Sequence, residues 1–389
     1  MNVHYLDNSA TTPVSKAAKA AMVEALDENF GNPSSLHTLG ANAEAAVTEA
    51  RENVLYAMGL KAKPEQLIFT SGGTEAANLA IIGSVTSTLR NRGKTVIIGE
   101  AEHDCVLKSA EHLEEIGYKI IKIPSPDGVW NMDAYEKALS PDVALVSAML
   151  VNNETGAVSD IKRIAQMARD ASPDVIVHTD AVQGLLKLPT SMMALGADLI
   201  SVSGHKIGAP KGVGALYVGE NILKTRSLSP VIYGGGQEKG YRSGTENVPG
   251  IVAFGAAAKA GKDELVSKLF LFDALRTRLL RELSLIGGIR VNEPKTPIIA
   301  KNIVNITVFG IRSETMLHHL SSRGVYVSSG SACASNTRHP SNALRSFGIS
   351  EKESGESIRV SFGVQNTEDD VDAFIDALKD GIARLAHER

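Results

Sequence analysis

The sequence predicts an α/β fold, a mostly parallel sheet covered on both faces by helices, followed by a smaller α+β domain. Three observations carry that expectation. Between Gln66 and Gly219, short apolar runs alternate with amphipathic helical stretches, the pattern of βαβ units. After about Gly261 the alternation gives way to a long helix and widely spaced strands. The 389 residues are enough for one large and one smaller domain, each with its own core.

Taken in order, Tyr5 to Pro13 is polar and turn-rich, and Ser15 caps an Ala-rich helix running to about Asp27. Gly31-Asn32-Pro33-Ser34-Ser35 is a loop. A helix over about Thr38–Met58 carries Ala43, Ala46, Val47, Ala50 and Val54 at near-helical spacing. Strands are expected at Leu67–Thr70, Thr95–Gly99, Lys119–Ile123, Val143–Val151, Val175–Thr179, Leu199–Ser203 and Gly214–Val218. Helices Glu75–Leu89, Asp104–Ile116 and Ile161–Ala171 lie between several of them. A seam at Gly255–Gly261 leads to a long helix over about Lys262–Ile286. Strands follow at Ile289–Asn292, Ile303–Phe309, Val325–Ser329 and Ile358–Phe362, with a helix from Ser313. A last helix opens on Thr367-Glu368-Asp369-Asp370, a capping-box pattern.

Hydrophobic content of 43% and charged content of 22% are those of an ordinary globular chain. A formal net charge of −4 argues against nucleic acid or an anionic membrane as the main partner. Met1–Ala10 has neither the basic nor the apolar region of a secretory signal, and the apolar runs are too short to span a bilayer. Two cysteines, Cys105 and Cys333, build no disulfide framework, so a cytoplasmic location is expected, with any functional cysteine working as a thiol.

The chemistry gathers at strand ends, where ligands bind in helix-coated sheets. Asp198–Ser203 is an apolar run that stops at small residues, and Lys206 follows at once. A lysine held among apolar neighbours loses solvation and becomes an amine nucleophile able to condense with an aldehyde. Phe69–Glu75 runs from a strand through a glycine turn into a helix, a ready anion seat with Gly73 and the Thr74 hydroxyl; helix caps look similar. Asp180, with Gln183 three residues on, can hold a pyridinium nitrogen protonated or simply cap a helix. His103 can stack on a flat cofactor or move a proton. Asn152-Asn153-Glu154-Thr155-Gly156 ends a strand in hydrogen-bonding amides or forms only a turn. Together these make a phosphate seat, a carboxylate for a ring nitrogen, a flat side chain and a lysine for an aldehyde. Pyridoxal phosphate needs that set. Cys105, at a helix start among apolar neighbours, reads as a small buried hydrophobe.

The stretches Tyr5-Leu6-Asp7-Asn8-Ser9-Ala10-Thr11-Thr12, Gly31-Asn32-Pro33-Ser34-Ser35-Leu36-His37 and Ser71-Gly72-Gly73-Thr74-Glu75-Ala76-Ala77-Asn78 resemble cysteine desulfurases of the NifS/IscS type. So do His103, Asn152–Gly156, Asp180-Ala181-Val182-Gln183-Gly184, Ser203-Gly204-His205-Lys206, Arg242–Asn247, Ser329-Gly330-Ser331-Ala332-Cys333 and Ile358–Gly363. The likeness covers nearly the whole chain in order. It implies fold type I of the pyridoxal-phosphate enzymes, with a large cofactor domain over 15–260. A small α+β domain from 1–14 and 261–389 would carry Cys333 on a mobile loop.

The resemblance also implies roles. Lys206 would carry the cofactor; Gly73, Thr74, Ser203 and His205 would bind its phosphate, with Thr245 arriving from a second subunit of a homodimer. Asp180 would face the ring nitrogen and Gln183 the phenolic oxygen, while His103 stacks and shuttles protons. Asn32, Asn153 and Arg359 would bind substrate, Arg359 by a bidentate grip on its carboxylate. Cys333 would accept sulfur from L-cysteine as a persulfide, leaving L-alanine. The sulfur would pass to an acceptor protein, an iron–sulfur scaffold or a thiolation factor. No metal is expected, save an iron–sulfur cluster on Cys333 within a scaffold complex. Small neighbours around Cys333 let the thiol travel, and its thiolate is the reactive form. The nearest alternatives on this fold are a selenocysteine lyase or another lyase or aminotransferase. Two positions depart from the usual pattern. Gly208 replaces a bulky residue and is expected to loosen the loop after Lys206, and Ala334-Ser335-Asn336 stands where Thr-Ser is common. The length from Cys333 to Arg359 suits the long-loop branch, which favours free cysteine.

Overall fold

The computed structural model describes residues 3–87, 93–329 and 341–385. Its strands are β1 (His4–Tyr5), β2 (Leu67–Thr70), β3 (Thr95–Gly99), β4 (Lys119–Ile123), β5 (Val143–Ser147), β6 (Ile176–Asp180), β7 (Leu199–Ser203), β8 (Gly214–Val218), β9 (Ile289–Val291), β10 (Ile303–Val308), β11 (Val325–Tyr326) and β12 (Ser357–Ser361). Seven of them make one sheet in the order β2-β8-β7-β6-β5-β3-β4. β8 is antiparallel to both neighbours, and the other pairings in this sheet are parallel.

Side chains alternate across a strand, and here both faces are dry. Ile97 packs with Phe69, Val146, Val177 and Ile200 on one side. Its neighbours Val96 and Ile98 pack with Ile68, Leu145 and Ile176 on the other. Each such residue taken fully out of water contributes about 1.5–3 kcal/mol. The helices present matching stripes. In Ile161–Ala171, Ile161, Ile164, Ala165 and Ala168 are buried, and Asp160 caps the helix by accepting from Arg163 N–H at 3.1 Å.

A second, antiparallel sheet runs β12-β10-β9. Its apolar residues Val304, Ile306, Ile358 and Val360 pack with Leu275, Met316 and Phe374 of the surrounding helices. Leu6 joins this cluster although it precedes the large sheet in sequence. β1 pairs in parallel with β11, and Asp7 bridges to Ser361.

Several elements differ in extent from the sequence expectation, among them the strand expected over Val325–Ser329, which stops at Tyr326. The stretch Gly255–Gly261 is helical, inside Val248–Asp263, and the chain breaks instead at Glu264 before a second helix, Leu265–Leu283. Gly255 is there for packing: a Cβ on it would lie 2.6 Å from Ala50 Cα, so glycine lets two helices touch. The strand expected over Val143–Val151 stops as regular structure at Ser147. Beyond it Leu150 N–H still donates to the Asp180 carbonyl at 2.9 Å, and Val151 bridges to Val158. The helix expected over Glu75–Leu89 runs Gly73–Val85.

Candidate active site

β2, β3, β5, β6 and β7 end at one edge of the large sheet, and a cleft of about 180 Å³ opens there. Gly73, Thr74, His103, Asn153, Asp180, Gln183, Ser203, His205, Lys206 and Arg359 all line it. Asn32 and Thr245 do not. Both sit in exposed loop positions, and Asn32 Oδ1 accepts from Ser34 N–H at 2.9 Å. Cys333 lies outside the described residues.

Lys206 ends the single turn that follows β7. Its Nζ donates to two backbone carbonyls, Ser9 O at 2.6 Å and Ala10 O at 2.8 Å. The segment supplying them is fixed to the same turn, because Thr12 N–H and Oγ1–H both reach the His205 carbonyl, at 3.0 and 2.9 Å. Gly208 does not loosen this loop. Its φ of +90° suits glycine, its N–H donates to Thr12 Oγ1 at 2.8 Å, and its carbonyl accepts from Ser15 N–H at 2.8 Å. The His205 imidazole is held down to about 4 by burial, then by Lys206, Lys211 and Lys187, so it is neutral at pH 7.

Asp180, the last residue of β6, is buried; Oδ1 accepts from Val182 N–H at 2.9 Å. Burial pushes its carboxyl above the usual range, while His103 and Lys206 pull the other way. A cationic ring N–H is the partner such a carboxyl fits. Gln183 Nε2 donates to Ser9 O at 2.9 Å. His103 caps the helix Asp104–Glu115: Nδ1 accepts from Cys105 N–H at 3.2 Å, which leaves the proton of a neutral ring on Nε2.

Asn152 builds the turn that presents Asn153. Its Oδ1 accepts from the N–H groups of Glu154 and Thr155, each at 3.0 Å, and its Nδ2 donates to Ala101 O at 3.1 Å. Arg359, at the centre of β12, is 1% exposed. Its Nη1 donates to Asn153 O at 2.9 Å and its Nη2 to Asp7 Oδ1 at 2.7 Å, whereas buried Nε has no hydrogen-bond partner. A guanidinium nitrogen left over in a cleft wall is a natural seat for an anion. Burial raises the Asp7 carboxyl in spite of Arg359.

The residues thus fit pyridoxal phosphate: an amine for the aldehyde, a buried carboxyl for the ring nitrogen, and hydroxyls and helix N–H groups at Gly73 and Thr74 for the phosphate. Sequence reasoning missed four contributors. The Ser9 and Ala10 carbonyls act through backbone, which no residue type announces. Lys187 is buried against Gln183, and its only hint is its place four residues on, among leucines. Cys105 is buried as expected, but it also lines the cleft with Sγ 3.1 Å from His103 Nδ1.

The aminotransferase class-V family model matches residues 4–374. The chain is 39% identical over 383 residues to the cysteine desulfurase IscS of Dictyoglomus turgidum, covering 98% of this chain and 95% of the relative. Among solved structures, a NifS-like protein superposes with a TM-score of 0.90 at 32% identity, covering 98% and 100% of the two chains. SspA in complex with cysteine gives 0.78 at 32% identity, covering 92% and 98%.

Proposed function

The chain belongs to the class-V aminotransferase family and is a cysteine desulfurase, and we infer from that premise how its own residues do the work. The reading rests on one observation: Lys206, Asp180, His103 and Arg359 meet in a single cleft. Pyridoxal phosphate, bound there, supplies an aldehyde for the amine of L-cysteine and a sink for electrons. Lys206 would hold the cofactor through its amine and move the proton at substrate Cα. Asp180 keeps the ring nitrogen protonated. Thr74, Ser203, His205 and the helix end at Gly73 hold the phosphate, and Gln183 faces the ring oxygen. Arg359 takes the substrate carboxylate with help from Asn153, and His103 passes protons through Nε2.

Cys333 is the sulfur acceptor in this proposal. Its thiolate attacks the cysteine sulfur, forming an S–S bond as the C–S bond breaks. The electron pair leaves with the carbon skeleton, which takes up a proton and becomes L-alanine. Ser328 is paired with Arg359, donating to its carbonyl at 3.2 Å and accepting from its N–H at 2.6 Å. Cys333 follows that anchor by five residues in sequence. We further propose a cytoplasmic homodimer in which a second copy supplies Thr245 and the loop around Asn32 borders the substrate. Residues 15–260 would form the cofactor domain, and 1–14 with 261–389 the smaller one. The persulfide would pass to a protein acceptor such as an iron–sulfur scaffold or a thiolation factor. No helix among the described residues is long and apolar enough to cross a membrane.

Purified protein loaded with pyridoxal phosphate should absorb in the visible. From L-cysteine and a thiol reductant it should release alanine and sulfide in equal amounts. Cys333→Ser should keep the visible band and its response to cysteine, yet release no sulfide. Full sulfide release by Cys333→Ser would overturn the persulfide step, and a colourless protein would overturn the cofactor reading.

A further inference from the structure

Lys187 is a buried lysine, 7% exposed, set between Leu186 and Leu188, and the chemistry above makes no use of it. Its Nζ lies 2.7 Å from Gln183 Oε1. On the other side of that amide, Gln183 Nε2 lies 2.9 Å from the Ser9 carbonyl. The same carbonyl accepts from Lys206 Nζ at 2.6 Å. One line of hydrogen bonds therefore joins a buried, non-reacting lysine to the reacting one: Lys187 to Gln183 to Ser9 to Lys206.

Which end of the Gln183 amide faces the cleft is a chemical choice, since both ends have nearly the same shape. An ammonium has three donors and no acceptor, so it can face only the oxygen. We propose that Lys187 is a positioning residue of this site, holding the Gln183 amide so that its N–H groups are turned toward the Ser9 carbonyl and the cofactor's ring oxygen. This rests on the cofactor reading given above. The cost of burying Lys187 is visible in its basicity, which burial and then the charges of Lys206 and Arg359 lower to about 7. A lysine kept at that cost against a neutral amide, with apolar residues on either side, is placed for what it donates.

The direction of the effect follows. An N–H donated to a ring oxygen that carries negative charge favours the unprotonated cofactor site. Replacing Lys187 by methionine frees the Gln183 amide to turn and removes that donor. The visible band of the loaded protein should then keep its two forms, but its pH midpoint should move upward by about one unit, the scale of one hydrogen bond to a charged oxygen. Lys187→Gln, equally uncharged, carries the test if the methionine variant does not fold.

The experiment titrates the visible band of four loaded proteins: wild type, Lys187→Met, Gln183→Met and the double variant. If Lys187 acts by orienting Gln183, its substitution moves the midpoint in the wild-type background and much less once Gln183 is gone. An unchanged midpoint in Lys187→Met, or an equal shift in both backgrounds, overturns the proposal. The absence of any visible band in the wild type instead overturns the cofactor reading, and this proposal with it.

Discussion

Arg359→Lys separates what this side chain does for the fold from what it does for substrate. The guanidinium is 1% exposed and carries two fixed bonds, to the Asn153 carbonyl and the Asp7 carboxylate, with Nε left over. A lysine ammonium keeps the charge but cannot span three directions from one plane. The nearest strong acceptor, Asp7, should keep it, because a buried carboxylate deprived of its cation is the costliest outcome. What is lost is the donor left for the substrate carboxylate. A charge-assisted hydrogen bond contributes about 1.5–3 kcal/mol, which is roughly 10- to 150-fold in kcat/KM. The carboxylate does not change charge during C–S cleavage, so the loss should fall mainly on KM. Steady-state sulfide release in the presence of a thiol reductant measures it for L-cysteine and for cysteamine, which lacks the carboxylate, as the control. Arg359→Lys should lose its preference for L-cysteine over cysteamine while its melting temperature stays near that of wild type. An unchanged KM for L-cysteine would mean that Arg359 serves only Asp7 and Asn153, and the substrate assignment would fall.

Two further outcomes test the frame. His178 is buried between the Ser147 and Ser201 hydroxyls, at 2.8 and 3.1 Å, and burial lowers its imidazole to about 3. The folded protein keeps this ring neutral while the unfolded chain protonates it near 6.5, so stability falls as pH drops from about 6.5 to about 3. His205, lowered to about 4, acts in the same direction over the upper part of that range. His178→Gln should lessen the acid dependence of the denaturation midpoint; an unchanged dependence would mean His178 is protonated in the fold. Gly255→Ala places a methyl 2.6 Å from Ala50 Cα and should cost about 1–3 kcal/mol by overpacking, with the visible band unchanged. A calorimetric melt equal to wild type would contradict the close helix contact.

The large sheet was legible because each strand is a short β-branched run ending at small or polar residues, so Asp180 and Lys206 could be placed at strand ends before any coordinates. The grouping of Thr74, His103, Gln183 and Ser203 with them follows from parallel topology, which sets like ends side by side. What stayed hidden has no side-chain signature. The carbonyls that hold Lys206 belong to Ser9 and Ala10, more than 190 residues away in sequence. The helix running through Gly255–Gly261 shows the ambiguity of glycine, which marks a loop or a close helix contact equally well. Lys187 was not singled out, and Cys105 was read as a small buried hydrophobe, because burial at a site edge and burial in a core look alike in one sequence. Asn32 and Thr245 sit in exposed loops apart from the cleft.

The clasp of residues 7–10 over the cleft has a bearing on how the protein is made. Asp7 meets Arg359, Asn8 donates to the Ser361 carbonyl, and Ser9 and Ala10 hold Lys206. During synthesis the ribosome delivers Asp7 and Arg359, 352 residues apart, at an interval of roughly 20 to 70 s. Over that time Lys206 can emerge and the parallel strands can begin to pair, but the arginine at the far wall of the cleft does not yet exist. The nascent chain therefore passes through a stage with a nucleophilic lysine and no completed pocket around it. A site able to grip a substrate carboxylate, on this geometry, waits for the last strand, Ser357–Ser361.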